Sequence, residues 1–311
     1  MILEVKNLKK HYPIKRPLKE TLYVKAIDDI SFSIDTHQTL GIVGESGCGK
    51  STLAKTLMKL EAKTEGTIHY DGNEINTLNS KEIFGTIQMI FQDPMSSLNP
   101  RKKAWQLIAE PLLINSKLSK KECIKKAQEM MEKVGLRSEL AFRYPHMFSG
   151  GQRQRIGVAR ALVLNPKILI CDEPISALDV SIQAQVLNLL MSLQDELKLT
   201  YLFISHDLSV VNHIADYIMV MYLGKIVEYG PREHVFNNPQ HPYTKALIAS
   251  SPSVTANSLE RAPIQGELPS PLNPPSGCTF HKRCPLATKQ CEQEVPKIRE
   301  FESRFVACHE I

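Results

Sequence analysis

The stretch Leu40–Thr52, LGIVGESGCGKST, decides the fold of this chain. Its apolar start, Leu40–Val43, predicts a short buried strand. The glycine-rich segment Gly44–Gly49 follows, and Lys50 and Ser51 open a predicted amphipathic helix. A G-x-x-x-x-G-K-[ST] match between a strand and a helix is typical of a phosphate-binding loop.

The residue types in this loop suit a polyphosphate. Glycines let the backbone curl and point successive N–H groups at the ligand. The helix that starts near Lys50 adds the positive end of its dipole. We expect Lys50 to reach the β- and γ-phosphates and the Ser51 hydroxyl to bind Mg²⁺. The alternative is a plain glycine-rich turn, which the complete set of fixed positions disfavours.

The composition is that of an ordinary globular protein. The chain has 311 residues, 42% of them hydrophobic, which is enough for a substantial core. Its 38 basic and 33 acidic residues give a net charge of +5, which does not argue for a nucleic-acid partner. No run approaches the roughly 18 apolar residues of a membrane span, and the N-terminus lacks a signal-peptide pattern. We expect a cytoplasmic protein that reaches a membrane only through a partner.

Polar side chains follow two predicted buried strands. Lys167–Cys171, KILIC, ends at Asp172 and Glu173, and Thr200–Ile204 is followed shortly by His206. Two adjacent carboxylates at the end of an apolar strand are costly unless a cation is nearby. We therefore expect one of them on Mg²⁺ and the other to polarise a water molecule.

Three further positions are candidates for the same chemistry. The segment Ser149–Gln152 precedes a predicted helix, so its N–H groups and the Ser149 hydroxyl form a second potential anion site. Asp179 is the predicted N-cap of a helix that continues to about Lys198. Gln92 follows a predicted strand and could ligate Mg²⁺ or position water, although a lone glutamine there usually has no such role.

The sequence patterns of the N-terminal and C-terminal parts of the chain differ. Tyr12 is either an adenine-stacking aromatic or a plain surface residue, and it lies in the basic stretch Lys9–Thr21, which predicts a loop. Trp105–Val134 predicts helical structure.

Eight of the 19 prolines fall in residues 251–311, where apolar periodicity is lost, so we expect a domain boundary near residue 250. The phosphate-loop unit does not repeat, which predicts one nucleotide-binding cassette.

Taken in chain order, the motifs at Gly44–Ser51, Gln92, Ser149–Gln152, Asp172–Asp179 and His206 together resemble the ATP-binding subunit of ABC transporters over about residues 1–250. Phe148 departs from the pattern, since leucine is common there. The resemblance implies an α/β P-loop NTPase of the ABC ATPase type, with a mixed sheet core, an antiparallel β subdomain and a helical subdomain near residues 95–160. It also implies a small cysteine-containing C-terminal extension over residues 251–311.

The resemblance implies a role for each matching residue. Glu173 is the general base, and His206 touches the γ-phosphate. Ser51, Gln92 and Asp172 hold Mg²⁺. The residues implied to bind ATP in the same chain are Tyr12, Gly44, Ser46, Gly47, Cys48, Gly49, Lys50, Ser51, Thr52 and Gln92. Those implied to contact the ATP of an opposite subunit are Ser149, Gly150, Gly151, Gln152 and Asp179. An ATP site built from two chains works only in a dimer, which ATP closes and hydrolysis opens.

Segments near the C-terminus indicate which group of ABC transporter ATPases the chain resembles. Asn238–Leu247, Gly266–Pro275 and Gly277–Pro285 are similar to segments of the ATPases of oligopeptide and dipeptide importers. Related importers carry nickel, glutathione or other small solutes. The resemblance implies a second, non-identical ATPase subunit, two permease subunits and an extracytoplasmic solute-binding protein as partners, with no nucleic acid. It also implies a peripheral position on the cytoplasmic face of the cell membrane.

Four of the seven cysteines lie in the tail, namely Cys278, Cys284, Cys291 and Cys308. Their C-x₅-C-x₆-C-x₁₆-C spacing lacks the close pairs of structural zinc sites, whereas iron–sulfur clusters accept more varied spacing. Family resemblance also favours a [4Fe–4S] cluster in this tail. Zinc and four unligated thiols are the alternatives.

Two other functions compete with transport. A soluble ABC-type ATPase acting on ribosomes or DNA typically has two cassettes or a coiled-coil insertion, and this chain has neither. A degenerate module that binds ATP without turnover is disfavoured because Glu173 and His206 are both present.

Overall fold

A computed structural model of the chain describes residues 1–16, 19–93, 97–250 and 266–311. The chain divides into two compact units. The first unit comprises Met1–Ile75 and Phe203–Ile311, and the second comprises Asn76–Leu202. The predicted extension starts at residues 251–265, which lie outside the described residues, so its boundary near residue 250 stays a prediction.

Strands and helices are interspersed through the described residues. The strands are β1 Leu3–Arg16, β2 Lys19–Ile34, β3 Thr39–Val43, β4 Glu65–Tyr70, β5 Asn73–Glu74, β6 Ile87–Ile90, β7 Ile168–Asp172, β8 Thr200–Ile204, β9 Tyr217–Tyr222, β10 Lys225–Pro231, β11 Arg299–Phe301 and β12 Arg304–Val306. The helices are α1 Lys50–Leu57, α2 Ser80–Thr86, α3 Ala104–Asn115, α4 Lys120–Lys133, α5 Gly150–Leu162, α6 Val180–Leu197, α7 Leu208–Ile214, α8 Arg232–Asn237, α9 Pro242–Ala249 and α10 Lys289–Gln293.

The first unit contains an antiparallel sheet in the order β2-β1-β4-β5. The prediction of a loop over Lys9–Thr21 is wrong for residues 9–16 and 19–21, where β1 and β2 continue as paired antiparallel strands and Ile14 pairs with Leu22. Residues 17–18 of that stretch lie outside the described residues. The register of β1 with β4 stops at Lys9, so the arm beyond it is two strands wide. Such an arm has little core to cover, which is why its sequence lacks an apolar face and tolerates Pro13 at an open edge.

The first unit also holds a second sheet segment, in the order β3-β9-β10-β12-β11. β3 is parallel to β9, whereas β10 is antiparallel to both β9 and β12. All five residues of β3 are buried, as its apolar sequence predicts. The last two strands of the chain therefore extend the sheet that begins at the phosphate loop.

The second unit combines strands with most of the long helices. β6 is parallel to β7, and the N–H of Thr200 donates to the carbonyl of Lys167 at the start of β8. The predicted helical stretch Trp105–Val134 is two helices, α3 and α4, because Ser119 and Glu122 form a capping box that starts α4. These helices and α5 fall within the helical subdomain expected near residues 95–160, whose bounds stay a prediction.

A buried polar network joins the tail to the rest of the first unit. β12 brings the Arg304 guanidinium within 3.5 Å of the Glu228 carboxylate, and the side chains are 3% and 0% exposed. The carboxylate also accepts the backbone N–H groups of Gln240 and His241, at 3.0 and 2.9 Å. A charge this deeply buried is tolerated because it is paired and hydrogen-bonded. The tail is thus packed as part of the first unit.

An aromatic cluster gives the tail its apolar anchor. The ring of Phe280 lies 5.3 Å from Tyr222, 5.4 Å from Tyr243 and 5.8 Å from the His241 imidazole, between ring centroids. Phe280 is 2% exposed. Because one aromatic residue carries this contact, the anchor leaves no periodic signal in the sequence.

His241 is the N-cap of α9, and its Nδ1 accepts the Tyr243 N–H at 3.0 Å. An acceptor at Nδ1 fixes the proton of the neutral ring on Nε2. Burial, with a smaller contribution from Lys245, lowers the pKa of His241 to about 3. The folded chain therefore keeps this imidazole neutral at pH values where an exposed histidine is charged.

We expect the free energy of unfolding to fall as the pH drops from about 6.5 towards 3. In that range the unfolded chain protonates His241 and the folded chain does not, so the unfolded state binds more protons. By pH 5 this residue alone removes about 2 kcal/mol relative to pH 7. Urea unfolding of the wild type and of His241→Asn at pH 7 and pH 5 measures this change in the free energy of unfolding. The control is His37→Asn, which replaces an exposed histidine. Equal pH dependence in wild type and His241→Asn would contradict the assignment.

Candidate functional site

The predicted phosphate loop lies between β3 and α1. The helix begins at Lys50, and the Leu53 N–H donates to the Gly49 carbonyl at 2.9 Å. The Lys50 side chain folds into the curl of the loop, where its Nζ donates to the carbonyls of Gly44 at 2.7 Å and Glu45 at 3.0 Å. The loop therefore surrounds a buried ammonium group, which is the charge that a phosphate ligand requires.

Two glycines of the loop are required by packing as well as by ligand geometry. Gly44 and Gly49 have φ values of +149° and +106°. A Cβ atom at Gly44 would lie 2.2 Å from the Met221 carbonyl oxygen, and one at Gly49 would lie 2.1 Å from that of Ala26. No side chain fits at either position without moving backbone, so β2 and β9 set the path of the loop.

The remaining loop residues divide into a buried and an exposed set. Cys48 is buried with its Sγ 3.7 Å from the Lys50 Nζ, and burial raises the pKa of its thiol. Ser46, Gly47 and Ser51 are exposed, and Thr52 is half-buried. The residues implied by the resemblance to bind ATP therefore include both buried and exposed positions of the loop.

Glu45 is held by residues far away in the sequence. Its backbone N–H donates to the Tyr243 hydroxyl at 2.8 Å. Its carboxylate accepts two hydrogen bonds from the Arg283 guanidinium, at 2.7 and 2.9 Å. Sequence reasoning missed both partners, because Arg283 is 238 positions from Glu45 and lies in a run noted for its cysteines.

Two other predicted site residues lie in the first unit. His206 is exposed just after β8, and the next residue, Asp207, caps α7 by accepting the Ser209 N–H at 2.8 Å. Tyr12 lies half-buried on β1, with the Lys10 ammonium 4.5 Å from its ring centroid. Tyr12 is therefore part of the hairpin arm.

The second unit holds the predicted carboxylates. Asp172 is the last residue of β7 and is 6% exposed. Glu173 follows in the left-handed region, with φ of +48°, a strained conformation for a residue with a side chain. The Gln92 Nε2 donates to the Glu173 carboxylate at 2.7 Å. The structure thus brings together Gln92 and Glu173, which the sequence identified separately.

The Ser149–Gln152 segment starts α5 with a capping box. The Ser149 hydroxyl accepts the Gln152 N–H at 3.3 Å, and the Gln152 side chain accepts the Ser149 N–H at 3.0 Å. Ser149 and Gly150 are exposed. Gly151 is buried, and a Cβ atom there would lie 2.6 Å from Cγ2 of Ile182 on α6. The polar start of the helix is thus presented to solvent.

Asp179 caps α6, as predicted from the sequence. Its carboxylate accepts the Ile182 N–H at 3.0 Å and the Ser181 hydroxyl at 2.9 Å, and these bonds lower the pKa of Asp179. Val180, the next residue, is 82% exposed.

The described side chains of the four tail cysteines do not form a metal coordination site. Burial, and to a smaller extent the charges of neighbouring cysteines, raises the thiol pKa of Cys278, to about 11, and also that of Cys284 and Cys308. The Cys278 N–H donates to the Cys291 carbonyl at 2.8 Å. Within the described ranges, no group of three or more histidine, cysteine, aspartate or glutamate side chains is arranged to hold a metal ion.

In the part of the chain that the structure describes, no helix has both the length and the apolar character needed to cross a membrane.

Comparisons with known proteins agree with this fold and motif order. The family model "ABC transporter" matches residues 27–176, and "Oligopeptide/dipeptide transporter, C-terminal region" matches residues 227–291. The dipeptide transport ATP-binding protein DppF of Haemophilus influenzae is 52% identical over 320 residues, covering 100% of this chain and 97% of that protein. The oligopeptide transport ATP-binding protein AppF of Bacillus subtilis is 52% identical, covering 99% of this chain and 97% of that protein.

A solved structure supports the same conclusion. The ATP-binding cassette MJ0796, in a dimeric post-hydrolysis state bound to ADP and Pi, is 29% identical with a TM-score of 0.64. That match covers 74% of this chain and 99% of the other. The fold and the order of the motifs are those of an ABC ATPase. The chain belongs to the ATP-binding subunits of oligopeptide and dipeptide ABC transporters, which confirms the predicted fold class and family.

Proposed function

We propose that this chain is the ATP-hydrolysing subunit that energises the import of oligopeptides or dipeptides across the cytoplasmic membrane. The observation that carries the proposal is the phosphate loop, in which the buried Lys50 ammonium lies within a glycine curl. The identity of about half of all residues to dipeptide and oligopeptide transport ATP-binding proteins, over the whole chain, supports the transported class.

The first unit supplies the groups for binding ATP in this proposal. Lys50 and the loop N–H groups bind the phosphates, and Tyr12 stacks on the adenine. His206 contacts the γ-phosphate. The Ser51 hydroxyl is an oxygen donor of the kind that Mg²⁺ prefers, and bound Mg²⁺ neutralises charge on the phosphates.

The second unit supplies the groups for hydrolysis. Asp172, a buried carboxylate, and Gln92 are further oxygen donors for Mg²⁺, and Glu173 is the general base that takes a proton from the attacking water. The hydrogen bond from Gln92 to the Glu173 carboxylate fixes the direction of that base.

The dimer is the functional form in this proposal. Ser149, Gly150, Gly151, Gln152 and Asp179 bind the ATP held by an opposite ATPase subunit. The exposed capping-box start of α5 supports such a contact. ATP then holds two cassettes together, and its hydrolysis releases them.

The further partners are inferred from the family. We infer a second, non-identical ATPase, two permease subunits and, indirectly, an extracytoplasmic solute-binding protein, with the chain bound peripherally to the cytoplasmic face of the cell membrane. The same motor serving nickel, glutathione or another small solute is the second candidate. A soluble ABC ATPase without a transport role is the third, and the match of residues 227–291 to the transporter C-terminal region disfavours it.

Glu173→Gln tests the proposed mechanism. We expect ATP to bind and to hold the dimer closed, while phosphate release falls by about a hundredfold or more because the base is lost. Phosphate release and the amount of ATP that stays bound are measured on the full-length chain purified with its partners. Glu129→Gln, on the exposed face of α4, is the matched control and should keep the wild-type rate. Wild-type turnover in Glu173→Gln would exclude Glu173 as the base.

We also propose that Cys278, Cys284, Cys291 and Cys308 bind a [4Fe–4S] cluster, with zinc as the second candidate. Four thiols are the donors that such a cluster takes. The charges of neighbouring tail cysteines contribute to raising the pKa values of Cys278, Cys284 and Cys308, which supports a common neighbourhood, although the described side chains do not surround one point.

Metal analysis of anaerobically purified chain decides between these candidates. We expect a brown protein with about four iron and four sulfide per chain. Replacing the four tail cysteines by serine should abolish the iron, and Cys123→Ala, which replaces a buried cysteine of α4, should keep it. A colourless protein with about one zinc would favour the second candidate. A metal-free chain with a folded tail would contradict both.

A further inference from the structure

The C-terminal tail contacts the phosphate loop through the ion pair between Arg283 and Glu45. The Arg283 guanidinium binds both oxygens of the Glu45 carboxylate, with Nη1 to Oε2 at 2.7 Å and Nη2 to Oε1 at 2.9 Å. The Arg283 side chain is 6% exposed, and that of Glu45 is 25% exposed. A bidentate pair shielded from water is strong and directional, unlike a typical surface ion pair.

Arg283 is itself held in place by its surroundings. Its Nη1 also donates to the Tyr222 hydroxyl at 3.3 Å, and its guanidinium carbon lies 5.9 Å from the Tyr222 ring centroid. Phe280, three residues earlier, is the buried aromatic anchor of the tail. The guanidinium is therefore a fixed group, and its position is set by how the tail packs.

The main chain of Glu45 is held as well. Its N–H donates to the Tyr243 hydroxyl at 2.8 Å, and its carbonyl accepts from the Lys50 ammonium at 3.0 Å. The residue thus has a carboxylate bound to the tail, an N–H bound to α9 and a carbonyl bound to the phosphate-binding lysine. A shift of the Glu45 side chain acts directly on the surroundings of Lys50.

We propose that Arg283 is a positioning residue for the phosphate loop, so that the tail sets the affinity of the site for ATP. The pair keeps the Glu45 carboxylate neutralised and turned towards the tail. Without Arg283, that negative charge repels a polyphosphate in the loop and competes for the Lys50 ammonium. The inference rests on the proposed function, because it assumes that the loop binds ATP.

Binding of the non-hydrolysable analogue AMP-PNP with Mg²⁺ to the full-length chain, measured by calorimetry, tests the proposal. We expect Arg283→Gln to weaken AMP-PNP binding about tenfold. A loss of this size corresponds to the interaction free energies that are common between residues in direct contact. The double variant Glu45→Gln/Arg283→Gln should bind more tightly than Arg283→Gln alone, because the unpaired carboxylate is gone. Lys282→Gln removes a neighbouring exposed charge and should bind like the wild type.

A purely structural role of Arg283 would lower the melting temperature without this rescue. Equal binding by Arg283→Gln and the wild type, or a double variant no better than Arg283→Gln, would overturn the proposal. If Arg283→Gln does not fold, Arg283→Lys keeps the charge but loses the bidentate geometry, and a loss of about threefold is expected. Wild-type affinity in Arg283→Lys would then overturn it. A wild-type chain that binds no AMP-PNP would instead refute the proposed function.

Discussion

The phosphate loop must curl tightly enough for its N–H groups to converge, and the rest of the first unit is arranged around that requirement. The loop achieves the curl by pressing Gly44 against the Met221 carbonyl and Gly49 against the Ala26 carbonyl. The two carbonyls come from β9 and β2, which belong to different sheets of the unit. The Lys50 ammonium then satisfies the carbonyls inside the curl. Ligand geometry and packing thus demand the same residues.

The tail is part of this arrangement. β12 continues the sheet that contains β3, and the buried pair of Glu228 and Arg304 joins it to the segment before α9. The ring packing around Phe280 and the ion pair of Arg283 with Glu45 hold the same tail against the loop. The phosphate loop is therefore contacted by residues of the C-terminal tail, and the tail is a structural component of the unit that holds the loop.

Features that depend on neighbouring residues were predictable from the sequence. The strand, loop and helix around Lys50, the buried strand before Asp172 and the cap at Asp179 follow from local patterns, and the structure has them. The order of these motifs was enough to identify the family. The paired strands over residues 9–16 and 19–21 were not predictable from periodicity, because a two-stranded arm needs no apolar face.

Features that depend on distant residues were not predictable. No local signal links Arg283 to Glu45, because each is an ordinary polar residue until the fold joins them. The contact of Gln92 with Glu173 is of the same kind, since neither position indicates the other. For the cysteines, the sequence supplies donors of the right type, whereas a coordination geometry depends on how the tail packs around an ion.

The central claim is that the chain is one motor subunit of a membrane importer. The measurement that tests it most directly is affinity purification of the full-length chain from gently solubilised native membranes, with every co-purifying protein identified. The account predicts two multi-span permease subunits and a second, different ATPase. Recovery of the chain alone, or with ribosomes or DNA-repair factors, would contradict the transport assignment while leaving the ATP-binding fold in place.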